Sequence, residues 1–227
     1  MLFALGEPVA FVALIVAFLL ALVLRALAIR LTARTLGLAE RRDPVSPRLR
    51  EDVDPFGAVA AAVGGMGWGK PISVDEVPRH HGRGRAAAVF AAGPVACILV
   101  SQLLFAAYVV LFPDNLLSVL NLSNVLRGVA LPLGEQVLLC LAVGLLAFGL
   151  LALIPMPPLD GFGILWSALR RPGAGAQQMR LWLEDKNLGV LILLICCFFP
   201  FTYPLLLVIL DVLSVLVLRL WGGPQPL

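Results

Sequence analysis

Histidine is nearly absent from this chain: only His80 and His81 occur, side by side in a polar stretch. Charge is also scarce. Charged residues make up 14% of the sequence, and the excess of Lys and Arg over Asp and Glu leaves a net charge of only +3. The basic residues fall between apolar runs, where membrane topology accounts for them better than nucleic-acid binding would. The four cysteines, Cys97, Cys140, Cys196 and Cys197, all lie in apolar segments without CxxC spacing. That argues against a disulfide or zinc framework and leaves them as small buried hydrophobes. The first apolar run has Glu7 before it rather than a basic region, and no small-residue cleavage site is evident. It is expected to be a retained span and not a signal peptide. No internal repeat relates the two halves, which counts against a transporter built from repeats.

What remains is overwhelmingly apolar. The 227 residues are 60% hydrophobic, with a mean hydropathy of +0.98. Several runs approach the ~20 residues needed to cross a bilayer. The expected fold is an all-α polytopic membrane protein forming one membrane domain over residues 1–227. It has about four transmembrane helices, possibly five, around a three-helix core with interfacial or re-entrant segments. The spans are expected at 8–34, 86–112, 136–154 and 188–221. The first opens at Pro8, a good first-turn residue, and continues through Arg25, Arg30 and Arg34 to Gly37. Arg25 is the deepest of these arginines. The last region is too long for one straight crossing at ~1.5 Å per residue. Pro200 and Pro204 interrupt it, so it is either one kinked span or a broken helix pair.

Basic residues concentrate in the 35–85 and 160–187 connections, whereas 113–135 has only Arg127. The positive-inside rule then puts the first two in the cytoplasm and the N-terminus outside, for a multi-pass protein of the cell's inner membrane. Within 35–85, the Ala58–Gly65 run is too short to span. It is expected to lie in the interface or to dip into the membrane under protein cover. The stretch 115–133 reads as a surface-lying amphipathic segment. Arg79, His80, His81, Arg83 and Arg85 read as a headgroup-facing anchor, with a paired-His metal site as the alternative.

The stretch most in need of explanation is Ile154 to Gly161, Ile-Pro-Met-Pro-Pro-Leu-Asp-Gly. Pro155, Pro157 and Pro158 end the preceding span, because proline lacks an N–H and clashes with the turn before it. Asp160 then stands at or near membrane depth, where a carboxylate needs a partner, a metal or water.

Four pieces, in order, resemble the site-2 protease family of intramembrane zinc metallopeptidases, most closely its small bacterial members without a PDZ domain. They are Asp54-Pro55-Phe56-Gly57, Gly67-Trp68-Gly69-Lys70-Pro71, Ala92-Gly93-Pro94 and Pro155 to Gly161. The resemblance implies a zinc held by two His of a His-Glu-x-x-His helix motif and by the Asp of Leu-Asp-Gly, with the Glu as general base. Aligned from Leu36-Gly37, Arg25 stands where the first His belongs, Ala26 where the Glu belongs and Ile29 where the second His belongs. Two family asparagines fall at Cys97 and Ala152. Asp160 survives.

The resemblance therefore implies a member without catalytic residues and without a zinc cofactor. Arg25 is expected to pair with Asp160 across the old site, the alternative being that it snorkels to the headgroups. Pro155, Pro157, Pro158 and Gly161 are expected to be a structural turn. Such a protein would act in the lipid bilayer by binding or scaffolding another membrane protein or a single-span helix, with no nucleic-acid partner. Two alternatives stand beside this: an active zinc metallopeptidase with displaced ligands (His80, His81 and Asp160), and an unrelated transporter-like protein.

Overall fold

The computed structural model describes residues 2–38, 45–77, 82–112, 121–198 and 204–221. It is an all-α membrane protein: helices dominate, and among the described residues the one β-type pairing is an isolated bridge between Val53 and Gly69.

A single 3-10 turn, Leu2–Gly6, leads into α1, Pro8–Thr35. Pro8 occupies the first turn, where a missing N–H costs nothing. Gly37, with φ of +71°, closes the far end in the left-handed region that favours glycine. After the short helix α2, Leu49–Asp52, comes α3, Pro55–Gly64. Its start is written into the sequence. Asp54 accepts from the Gly57 N–H at 3.2 Å, and Pro55 follows as the first helical residue. Gly65 stops the helix with φ of +81°.

The chain then doubles back. Residues 66–69 run alongside α3, and the hairpin closes where Lys70 N donates to Asp52 O at 2.8 Å. A Cβ on Gly67 would lie 2.7 Å from the Ala61 Cβ, so the glycine permits the close approach of the two arms. Met66, Trp68, Ala60 and Ala61 all enter the main apolar core. The Ala58–Gly65 run is thus neither a span nor a free surface segment. It is one arm of a protein-covered hairpin.

Two further long helices complete the bundle: α4, Arg83–Leu111, and α6, Leu133–Ala152. With α1 they are, among the described residues, the three helices long and apolar enough to cross a bilayer. Helix α4 runs antiparallel to the other two. Gly93 faces Arg25 and Ile29, Cys97 faces Ala21, and Gly149 faces Pro94 and Ile98. Gly144 brings α6 against Ala17 of α1. Small residues at such crossings are how apolar helices gain contact where lipid is as apolar as they are. Helix α6 is buried nearly all round, which makes it the central element. Between α4 and α6 the Ser101 hydroxyl donates to Ala142 O at 2.8 Å.

Between these helices lies α5, Leu122–Leu126. Its Leu122, Ser123, Val125 and Leu126 are buried, so the surface-lying segment expected over 115–133 is corrected for this part. Asp211 accepts from the Ser123 N–H at 2.8 Å and pins the segment under a later helix. Residues 113–120 lie outside the described residues.

After α6 the proline turn leads to α7, Asp160–Ala168, which packs along the first half of α4. Then follow α8, Ala174–Arg180, and a single π-type turn, Leu181–Asp185. The final apolar region is two helices, α9, Leu188–Phe198, and α10, Leu205–Leu218. Pro200 lies between them, outside the described residues. Helix α9 starts against the proline turn, where a Cβ on Gly189 would collide with the Pro157 carbonyl. Helix α10 reaches α5 at the opposite end of the bundle, and beyond it Trp221 Nε1 donates to Gln102 Oε1 at 2.7 Å.

Candidate functional site

Arg25 leaves α1 ten residues before that helix ends and points inward. Its Nε donates to Asp160 Oδ2 at 2.6 Å and its Nη2 to Asp160 Oδ1 at 2.5 Å. Its Nη1 donates to the Lys70 carbonyl at 3.1 Å. The two side chains are 7% and 2% exposed. The guanidinium fork and the carboxylate match as a bidentate pair, the strongest form of this interaction. Removing one partner from such a pair strands a buried charge and typically costs about 3–5 kcal/mol.

Each neighbouring element holds this pair by a local rule. Asp160 is the first residue of α7, where the helix dipole favours negative charge. The turn before it is tied by Met156 N to Ile154 O at 2.8 Å and Leu159 N to Met156 O at 2.9 Å. Gly161 must be glycine, because a Cβ there would collide with the Leu153 and Ile154 carbonyls. Pro155, Pro157 and Pro158 lie in the turn that carries the chain from α6 into α7, and Gly161 is the second residue of α7 rather than part of that turn. From the hairpin, Gly69 lies against the pair. A Cβ there would sit 2.8 Å from Leu22 Cδ2 and 3.1 Å from Arg25 Nη1. From α4, a Cβ on Gly93 would lie 2.7 Å from Arg25 Cγ and 3.2 Å from Ile29 Cδ1.

Arg25 and Ile29 thus share one face of α1, as four-residue spacing dictates. Ala26 turns toward a cavity of about 480 Å³ that opens beside the pair. Its floor is apolar, with Ala26, Ile29, Ile72 and Val89. Its rim carries charges of both signs, several of them already matched. Arg30 Nη2 meets Asp52 Oδ1 at 2.5 Å, and Arg48 meets Glu51 at 3.1 Å. Cys97 is buried with its Sγ 3.6 Å from the Ala21 carbonyl, and Ala152 is buried at the end of α6. His80 and His81 lie outside the described residues.

The described residues around the pair do not offer zinc a set of free ligands. Both oxygens of Asp160 accept from Arg25, so a dication there would have to displace a guanidinium and meet its charge. At the neighbouring positions of α1, Ala26 and Ile29 offer no donor atom, and zinc binding in proteins needs Cys, His or carboxylate ligands. Among the described residues no three His, Cys, Asp or Glu side chains come together as a metal-binding set.

Several contributors to the site carry no sequence signal of their own. The Lys70 carbonyl is one, since any residue has a carbonyl. The Asp52 partner of Arg30 is another. Asp54 was legible as part of a motif, yet its bonds are structural: it caps α3 and accepts from Trp68 Nε1 at 2.5 Å. The signal that could have revealed this is Asp directly before Pro, a helix start. Away from the pair, Arg180 donates to Asp75 through Nη1 at 3.2 Å and Nη2 at 2.5 Å, and to Glu184 at 2.9 Å. The Arg180 hydrogen bond holds the Asp75 carboxyl below its ordinary value. These contacts fasten α8 to the 70–77 segment.

Compared with known proteins, the chain is similar to "Putative zinc metalloprotease YwhC" of Bacillus subtilis (strain 168), at 28% identity over 145 residues. The matched part is 63% of this chain and 59% of that protein, so the similarity spans about three fifths of the relative's length. No family model matches the chain, and no solved structure matches it. The chain is thus a helical membrane protein with partial similarity to a protein described as a zinc metalloprotease.

Proposed function

We propose that this chain is a non-catalytic, site-2-protease-like membrane protein that works by binding or scaffolding a membrane partner. The observation that carries the reading is the closed Arg25–Asp160 pair. The carboxylate that the resemblance would give to zinc is used up by a cation of the chain itself. Ala26, at the place of the general base, has no proton to take or give. The partial similarity to a protein described as a zinc metalloprotease supports descent from, or kinship with, such membrane proteases. The cavity beside the pair, lined by apolar residues and by charges of both signs, supports a binding role. The reading implies no resident cofactor and a single-span helix or another membrane protein as partner. The inner membrane remains its place in this reading, with the N-terminus outside.

The test is elemental mass spectrometry of the detergent-purified protein beside an Asp160→Ala variant, with a cleavage assay on single-span substrates. The expected result is no stoichiometric zinc in either protein and no cleavage. Stoichiometric zinc that is lost with Asp160→Ala would overturn the reading. It would favour a metallopeptidase with displaced ligands, and His80 and His81 would be the next residues to replace.

A further inference from the structure

The segment between α7 and α9 has two faces of different character. The inner face is fastened. Arg180 binds Asp75 and Glu184 and lies 5.3 Å from the centre of the Trp166 ring, while Glu184 accepts from Ser73 Oγ at 3.0 Å. The outer face is apolar and open: Met179 is 55% exposed, Leu181 52% and Trp182 48%. Lys186 holds its ammonium 4.0 Å above the Trp182 ring. Arg170 and Arg171 are exposed at the start of the same segment, and Asp185 is its exposed acid.

We infer that this outer face rests in the lipid headgroup layer, with Trp182 and its apolar neighbours inserted and Arg170, Arg171 and Lys186 recognising anionic phosphates. Three features choose a lipid surface over a protein. The face ends two residues before α9, an apolar helix, so its depth is tied to where that helix begins. The start of α9 is itself seated against Pro157 in the turn that ends α6, so two apolar helices terminate at this level. The composition is that of an interfacial belt, an amphipathic indole beside long cationic side chains. Three cations against Asp185 then favour anionic over zwitterionic headgroups. The inference is independent of the reading of the Arg25–Asp160 pair and survives its failure.

The test uses the full chain in nanodiscs of zwitterionic lipid with and without an added anionic lipid such as phosphatidylglycerol. The lipids are brominated near the headgroup end of the acyl chains. The emission of Trp182 is taken as the difference between the wild type and Trp182→Phe. That emission is expected to be blue-shifted, quenched by the brominated lipid and protected from aqueous acrylamide, and more strongly so when the anionic lipid is present. Neutralising one cation, by Arg171→Gln or Lys186→Gln, should weaken the preference for anionic lipid about fivefold. Acrylamide quenching without bromolipid quenching would overturn the inference. Shielding from both quenchers would do the same by pointing to a protein contact. Bromolipid quenching that ignores anionic lipid and both Gln variants would overturn the headgroup assignment.

Discussion

Arg25 and Arg180 each hold an aspartate with two nitrogens, at 2.6 and 2.5 Å for Arg25 and at 3.2 and 2.5 Å for Arg180, and the two pairs differ in their surroundings far more than in their bonds. The Arg25–Asp160 side chains are 7% and 2% exposed; the Arg180–Asp75 side chains are 20% and 74% exposed. The first pair joins the middle of a long apolar helix to the start of α7 across 135 residues of sequence. The second joins a loop to a short helix in a polar region of the chain. Similar two-nitrogen bonding therefore has different consequences. In a dry site each ion is costly without the other, so the pair acts as a unit. In a wet site water replaces either partner, and the pair contributes little. The difference bears on function too. Both oxygens of the buried carboxylate accept from its own cation, whereas the exposed one fastens a surface helix.

The largest expected effect follows from breaking the buried pair on one side. Asp160→Leu or Arg25→Met should destabilise the fold by about 3–5 kcal/mol, read as a large fall in melting temperature in detergent. A loss below ~1 kcal/mol in both would place the pair with the exposed class. Next in size is crowding the pair without touching its charges. Gly93→Val brings a Cβ to 2.7 Å from Arg25 Cγ and should cost about 1–3 kcal/mol, with lowered thermal stability as the readout. Smaller again is the loss of the cap on the hairpin helix. Asp54→Ala removes the acceptor for Gly57 N and Trp68 Nε1 and should cost roughly 0.5–2 kcal/mol, with a change in Trp68 emission.

The smallest effect is at the exposed pair. Asp75→Asn should change stability by about 0–1 kcal/mol, and less at high salt. Its pH dependence has a definite sign. The Arg180 hydrogen bond lowers the folded value of Asp75. Its stabilisation is therefore present above the unfolded value of about 3.9 and is lost as pH falls through the lower folded value. Thermal melts between about pH 5 and 8 should show a constant difference between wild type and Asp75→Asn, and melts at lower pH should lose that difference.

The same contrast explains which features are legible in the sequence. The three long helices were legible because apolar length is a bulk property of the sequence, and their bounds differ from expectation by a few residues. Asp160 and Arg25 stood out because a charge inside an apolar run has few comfortable solutions, and motif spacing suggested where each belonged. The hairpin 53–70 was half legible. Its run of small residues excluded a span, but the fold back on Gly67 depends on which backbone approaches it. Helix α5 was misread because Asn121, Ser123 and Asn124 look like a wetted face. Asp211, 88 residues later, satisfies the Ser123 N–H and buries the segment. The exposed Arg180–Asp75 pair had no signal at all, since polar loops hold many charges and nothing in their spacing says which will meet.

The most direct measurement of the central claim is a double-mutant cycle on thermal stability in detergent with Arg25→Met, Asp160→Leu and both together. If Arg25 and Asp160 form one closed unit, each single variant is strongly destabilised and the double variant regains much of the loss, because neither charge is left stranded. Additive losses, or an Arg25→Met variant as stable as the wild type, would contradict it and return Asp160 to the residues open to a metal.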